Sequence, residues 1–337
     1  MKVTWHSRAS SWPSPVDPRS TTSLQEHRNT VSKSAPQFIV LNGNLIPYEE
    51  ATVHVMSPAL KYGLSVFEGL RAYWSDAHQD LYVFRLQDHT DRLLQSMKLL
   101  RFKHDFDGAE INRMTLDLLR RNDVRAAAHI RTTAYLDGQG EQQVKGPVSY
   151  AISALEKPRT AKIDAGIRCQ VSSWMRMADN VMPPRIKCGG NYVNGRLARY
   201  QAIQDGYDEA ILLNTLGKVA EGPGTCIFFV RKGELVTPDM ASGILESLTR
   251  DTVLRLARER GIAVSERTVD RTELYAADEV FMVGSAAELV PVVDIDGIAI
   301  GPGLRGPLTT QLQQAYFETV TGAIKAPAGW LTSVHKS

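Results

Sequence analysis

Apolar positions along the chain first become regular at Phe38. FIVLNGNLIPY sets two short apolar runs around Asn42-Gly43, a dipeptide suited to the backbone of a tight hairpin, which predicts two paired strands. LYVFR (81–85) reads as another strand and leads into DHTDRLLQSMKLL. There Leu93, Met97 and Leu100 recur on one helical face, and Asp88 stands where an N-cap is expected. A second helix is expected over 108–121, then strands at AHIRTTAYL (128–136) and VSYAISAL (148–155). EKPRTAKIDAG (156–166) is polar and carries Pro158, and it is the expected linker between two domains. Beyond it GIRCQVSSW, EAILLN, KVAEG, CIFFVRKGELVTP and EVFMVG read as strands. The segments 191–205 and 248–260 read as helices, the second opening at Thr249 and stopping near Gly261.

Short strands outnumber helices, so the expectation is an α+β protein. A smaller N-terminal domain covers 37–155, and a larger, barrel-like one covers 167–337. Residues 1–36 differ in kind: they are rich in Ser, Thr, Pro and Arg, and Pro13, Pro15 and Pro18 oppose an amphipathic helix. A flexible extension is expected there.

Composition changes this picture little. A chain of 337 residues exceeds what one core comfortably serves, which supports two domains. Apolar residues at 43% and charged residues at 23% suit a soluble globular protein. A formal charge of +2 gives no reason to expect a nucleic-acid or membrane partner. The most apolar stretch, 280–293, is interrupted by Glu288 and too short to span a bilayer. Cys169, Cys188 and Cys226 form no CxxC pair, which favours free thiols in a reducing compartment, hence the cytoplasm, over a disulfide framework or a metal site.

Lys187 is the candidate centre of chemistry. It lies in PPRIKCGGNYVNG, between two prolines and two glycines and just before a predicted helix. A lysine that forms a Schiff base needs such an element end and partial desolvation to lower its pKa. A lone lysine before Gly-Gly is, on its own, ordinarily a solvated loop residue.

An ordered series of blocks gives it weight: FIVLNGNLIPYEEATVHV, ALKYGLSVFEGLRAY, FRLQDHTDRLLQS, KCGGNYVN, GYDEAILLN, VAEGPGTCIFFV, LTRDTVLRLA, ELYAADEVFMVGSAAELVPV and RGPLTTQLQQAYF. From Phe38 to Trp330 the sequence resembles the class IV (fold type IV) pyridoxal-phosphate aminotransferases, with branched-chain amino acid aminotransferases the nearest pattern. The resemblance implies a two-domain fold, a small N-terminal α/β sandwich and a larger barrel-like cofactor domain, with pyridoxal 5′-phosphate held by Lys187. Tyr192 would hydrogen-bond the cofactor's phenolic oxygen, and Glu221 would pair with its pyridine nitrogen. Arg92, Thr249 and Ser285 would take the phosphate, and Gly224 and Leu248 complete the cofactor set. Tyr62, Phe67, Gly69 and Arg71 would wall the substrate pocket with His129. Arg131 would serve acidic side chains, and Ser285 and Ala286 the α-carboxylate.

The activity implied is ping-pong transfer of an amino group from an L-amino acid (leucine, isoleucine or valine) to 2-oxoglutarate, by an isologous homodimer or a larger homo-oligomer. Departures from the pattern keep other activities of the fold open. Thr225-Cys226 stands where an acidic-Asn pair is common, and Glu246-Ser247 replaces Pro-Gly. Pro58 replaces histidine and His129 replaces tyrosine. A D-amino acid or (R)-amine transaminase, a specialised natural-product aminotransferase and an aminodeoxychorismate-type lyase are the alternatives.

Overall fold

The computed structural model describes residues 36–336, so the extension expected over 1–36 lies outside the described residues but for its last position. The hairpin at Asn42-Gly43 forms as expected, joining β1 (Phe38–Leu41) to β2 (Asn44–Pro47), with both turn residues in the left-handed region at φ 48° and 76°. After α1 (Pro58–Tyr62) come β3 (Ser65–Ser75) and β4 (Asp80–Phe84), then α2 (Leu86–Leu99), α3 (Gly108–Arg121), β5 (Ala128–Leu136) and β6 (Val148–Glu156). Strand alternation gives β3 two faces. Val66, Leu70 and Ala72 pack with Leu93 and Met97 of α2 and Ile111 and Leu118 of α3. Phe67, Gly69 and Arg71 point the other way, toward the site.

A second sheet follows α4 (Lys162–Ala165). It is built from β7 (Ile167–Val171), β8 (Glu209–Ile211), β9 (Cys226–Arg231), β10 (Glu234–Thr237), β11 (Val264–Glu266), β12 (Glu279–Gly284), β13 (Glu288–Ile295) and β14 (Ile298–Ala299). Its order is β11-β10-β9-β12-β13-β7-β8, with β14 on β13. The helices here are α5 (Gly189–Gln204), α6 (Leu248–Glu259), α7 (Arg271–Tyr275) and α8 (Pro307–Val320). The two outer strands are linked by residues 219–221 rather than by pairing with each other. The amide of Ala220 donates to the Leu212 carbonyl, that of Leu212 to the Glu221 carbonyl, and that of Val219 to the Val269 carbonyl, each at 2.9 Å. KVAEG, expected as a strand, is thus an irregular bridge making isolated pairings, and it gives the sheet its barrel-like character.

Other expectations are corrected at element ends. Asp88 does not cap α2; Arg85 does, at φ 54°, and its guanidinium bonds Asp88, Asp251, Thr252 and the Leu248 carbonyl. Ser247 rather than Thr249 caps α6, its hydroxyl accepting from the Arg250 amide. The polar 156–166 segment carries a buried anchor, Ile163 on α4. The last strand, β15 (Leu331–Ser333), returns to pair with β4, so the first sheet reads β15-β4-β3-β5-β6-β1-β2 and the end of the chain leaves the second sheet.

Candidate active site

Lys187 is held by its backbone. The amide of Phe67 donates to the Lys187 carbonyl (2.9 Å), and Cys188 bridges Val66, so the lysine is stitched to β3. Asn191 secures the turn from the other side, donating to the carbonyls of Pro183 and Ile186. The Lys187 Nζ then meets Tyr192 Oη at 2.7 Å, five residues on and in the first turns of α5. It lies 5.0 Å from the Phe67 ring centre and 5.2 Å from that of Tyr192. Those rings meet edge to face at 4.8 Å. The amine is therefore half-buried against aromatic surface with one hydrogen-bond partner.

Glu221 also lines the site. It is 5% exposed; Arg176 lies 2.8 Å from Oε1, and the Leu245 amide donates to Oε2 at 3.1 Å. Burial pushes its carboxyl above the usual range, and Arg176 pulls it back. The Cys226 thiol, 3.7 Å from Oε2, is pushed up to about 12 by burial and by that carboxylate, which makes it an inert neighbour. The turn after Glu221 approaches α5 so closely that a Cβ on Gly195 would stand 2.8 Å from the Pro223 carbonyl oxygen; only glycine fits.

Lys187, Tyr192, Asn191, Arg176, Glu221 and Cys226 line one cleft, partly open to solvent, together with Arg92, Gly224, Ser247 and Ser285. Leu248 and Thr249, expected at the phosphate, sit just behind Ser247 as the first residues of α6, and Ala286 follows Ser285 outside the lining. A helix N-terminus, two hydroxyls and an arginine form a phosphate-binding donor set in this lining. The same lining carries the buried Glu221 carboxylate and the Lys187 amine, so the residues present fit a phosphorylated pyridine aldehyde.

The substrate residues divide. Gly69 pairs with Arg131 and Arg71 with His129 across β3 and β5, on the face that carries Phe67. The Arg131 guanidinium stacks 3.8 Å from the Phe67 ring centre. His129 Nε2 lies 3.1 Å from where a Gly69 Cβ would be. Burial first, then the cations Lys157, Arg71, Arg131 and Lys187, lower its pKa to about 4, so it is a neutral imidazole at pH 7. Arg71, expected as a pocket wall, is 2% exposed and committed to Glu288 at 3.4 Å. Tyr62 is not in the cleft at all: it is 37% exposed and donates to Glu141 on the β5–β6 loop. Sequence reasoning missed Arg176, Ser247 and Asn191. Ser247 at least had a local signal, a serine two residues ahead of Thr249 at the start of a helix.

The fold and this site define a class. Residues 65–295 match the family model described as Amino-transferase class IV, and the chain belongs to that family. Among curated relatives, the probable branched-chain-amino-acid aminotransferase of Aquifex aeolicus is 40% identical over 301 residues, 88% of this chain and 97% of its own. The crystal structure of the branched-chain amino acid aminotransferase from Thermobaculum terrenum in its PLP form superposes with a TM-score of 0.84 at 45% identity, covering 90% of this chain and 99% of that one. The branched-chain amino acid aminotransferase of T.th., complexed with N-(5′-phosphopyridoxyl)-L-glutamate, gives 0.85 at 41% identity, covering 89% and 99%.

Proposed function

We propose that this aminotransferase moves the amino group of branched-chain L-amino acids to 2-oxoglutarate in two half-reactions at one site, with pyridoxal 5′-phosphate attached to Lys187. The observation that carries the reading is the 2.7 Å contact of Lys187 Nζ with Tyr192 Oη, inside a cleft that also holds the buried Glu221 and Arg92. When bound, the cofactor supplies an electron-withdrawing ring that makes the proton on the substrate Cα removable. Lys187 Nζ would take that proton and deliver it to the cofactor carbon on the far side of the amino nitrogen, which needs an amine held close but free to swing. Tyr192 Oη orients the amine. Glu221 offers a carboxylate to the ring nitrogen and so keeps its proton in place. Phe67 and Tyr192 exclude water beside Nζ.

In the first half-reaction the amino acid leaves its amine behind and departs as a 2-oxo acid; in the second, 2-oxoglutarate departs as glutamate. Arg131, stacked on Phe67 over the same aromatic floor, supports the second step as a partner for a distal carboxylate. The L-glutamyl adduct bound by the T.th. relative agrees with it.

A homodimer is part of the proposal. Val193, Leu197 and Tyr200 of α5 are exposed, as are Val53, Val55, Met56 and Leu60, and a second copy is the partner proposed to cover these apolar side chains. Tyr62, outside this chain's cleft, is then available to complete that of the partner. Among the described residues no helix is long and apolar enough to cross a membrane. The three cysteines are free and buried, and a reducing cytoplasm is the location we infer from them.

The test is the absorbance spectrum before and after L-leucine. Loss of the visible band, reversed by 2-oxoglutarate, is expected. His129 motivates a second reading: a neutral imidazole over Gly69 favours an aromatic or polar donor. A band unmoved by L-leucine but bleached by L-phenylalanine would establish that reading instead.

A further inference from the structure

We propose that Glu68 is a positioning residue which locks Arg92 so that its free donors face the cleft, setting recognition of the cofactor's phosphate from inside the first sheet. The inference rests on the reading that Arg92 meets that phosphate. Glu68 lies on the helix-facing side of β3, 1% exposed, among the apolar residues of that core. Its Oε1 accepts from Arg92 Nε and its Oε2 from Arg92 Nη2, both at 2.7 Å. His89, one turn earlier on α2, places Nδ1 2.7 Å from the same Oε2. Arg92 Nη1 donates to the Glu246 carbonyl at 2.6 Å, in the turn that leads into α6.

A guanidinium carries five N–H groups, and about three are committed by these bonds. One remains on each terminal nitrogen, and Arg92 lines the cleft beside Ser247. Two donors on one rigid plane suit a bidentate phosphate contact, provided the plane cannot turn. Glu68 is what stops it turning. It grips the Nε side from β3 while the Glu246 carbonyl grips the other nitrogen from the turn before α6.

Charge and geometry predict opposite signs here. Glu68 partly cancels the charge of Arg92, so by Coulomb's law alone its removal would tighten anion binding. Loss of the grip would weaken it.

The experiment titrates the full-length apoprotein with pyridoxal 5′-phosphate and, separately, with pyridoxal, which lacks the phosphate. The ratio of the two affinities isolates the phosphate contribution. Glu68→Gln is expected to lower that ratio on the order of tenfold, with pyridoxal affinity unchanged. A purely structural role would lower both affinities together and leave the ratio alone. An unchanged or raised ratio overturns the proposal. Where melting curves show that Glu68→Gln does not fold, Glu68→Asp carries the test by the same criterion, since it keeps the buried charge and withdraws the grip. Arg92→Lys, which keeps a cation beside Glu68 but loses the fork, is expected to lower the ratio too. If it does not, the reading of Arg92 as the phosphate residue fails, and the proposal with it. If Arg92→Lys lowers the ratio and the Glu68 variants do not, only the positioning role fails.

Discussion

Two buried glutamate–arginine pairs frame the cleft, and they behave in opposite ways. Burial penalises both carboxylates. Glu68 nevertheless sits well below the ordinary carboxylate range, because Arg92 grips it through two nitrogens and His89 adds a third bond. Glu221 sits above that range: Arg176 reaches it through one nitrogen, and its other partners are an amide and a weak thiol donor. Burial sets the penalty, and the number of strong donors decides the sign. The fully satisfied pair holds a structure still. The under-satisfied pair leaves a carboxylate with capacity for one more partner, as a group that must receive a ring N–H requires.

The largest effect comes from removing what stands between the pairs. Lys187→Ala is expected to cut the rate of amino transfer by about 10²–10⁴-fold or more, through loss of both attachment and proton transfer, while leaving both pairs intact. Steady-state assays with melting of the apoprotein separate the two consequences. Next, Arg176→Ala strips Glu221 of the cation paired with it and is expected to cost about 3–5 kcal/mol by denaturant unfolding. A cost below about 1 kcal/mol would mean the carboxyl simply takes up a proton, and the two pairs would then be less different than their geometry suggests.

Stability against pH tests the contrast directly. Glu68 has a depressed folded pKa, so its contribution is complete above the unfolded value of about 4.3 and is lost as pH falls below it. Glu221 has a raised folded pKa, so the folded state holds its proton more tightly, and stability is lost as pH rises from about 4.3 through the folded value. Glu68→Gln should therefore flatten the acid limb of the stability profile, and Glu221→Gln the part above it. Equal effects on the same limb would refute the opposition. The smallest effect is expected for Cys226→Ser. A hydroxyl gives Glu221 a stronger donor and should move its titration downward, with stability changed by about 1 kcal/mol or less.

Much of the frame was legible from local pattern. The hairpin at Asn42-Gly43, the helix over 108–121 and the strand over 128–136 depend on turn chemistry and periodicity that neighbouring residues carry. The lysine, Tyr192 and Glu221 were legible through their blocks, and all three line one cleft. What stayed hidden depends on contacts between distant segments. Arg176 finds Glu221 across 45 positions, and Arg71 finds Glu288 across 217. KVAEG has the composition of a strand, but it lies where the two outer strands must be bridged. Tyr62 matched its block, yet the fold turns it out to Glu141, because α1 ends at Gly63 with a left-handed turn (φ 70°) before β3 begins.

The return of β15 to β4 has a consequence for synthesis. The first sheet is assembled almost entirely from the leading part of the chain, yet its β4 edge is covered by residues 331–333. On the ribosome that edge stays open until residues 331–333 have been made, so the strands made earlier must wait, exposed to mispairing, for β15 to emerge.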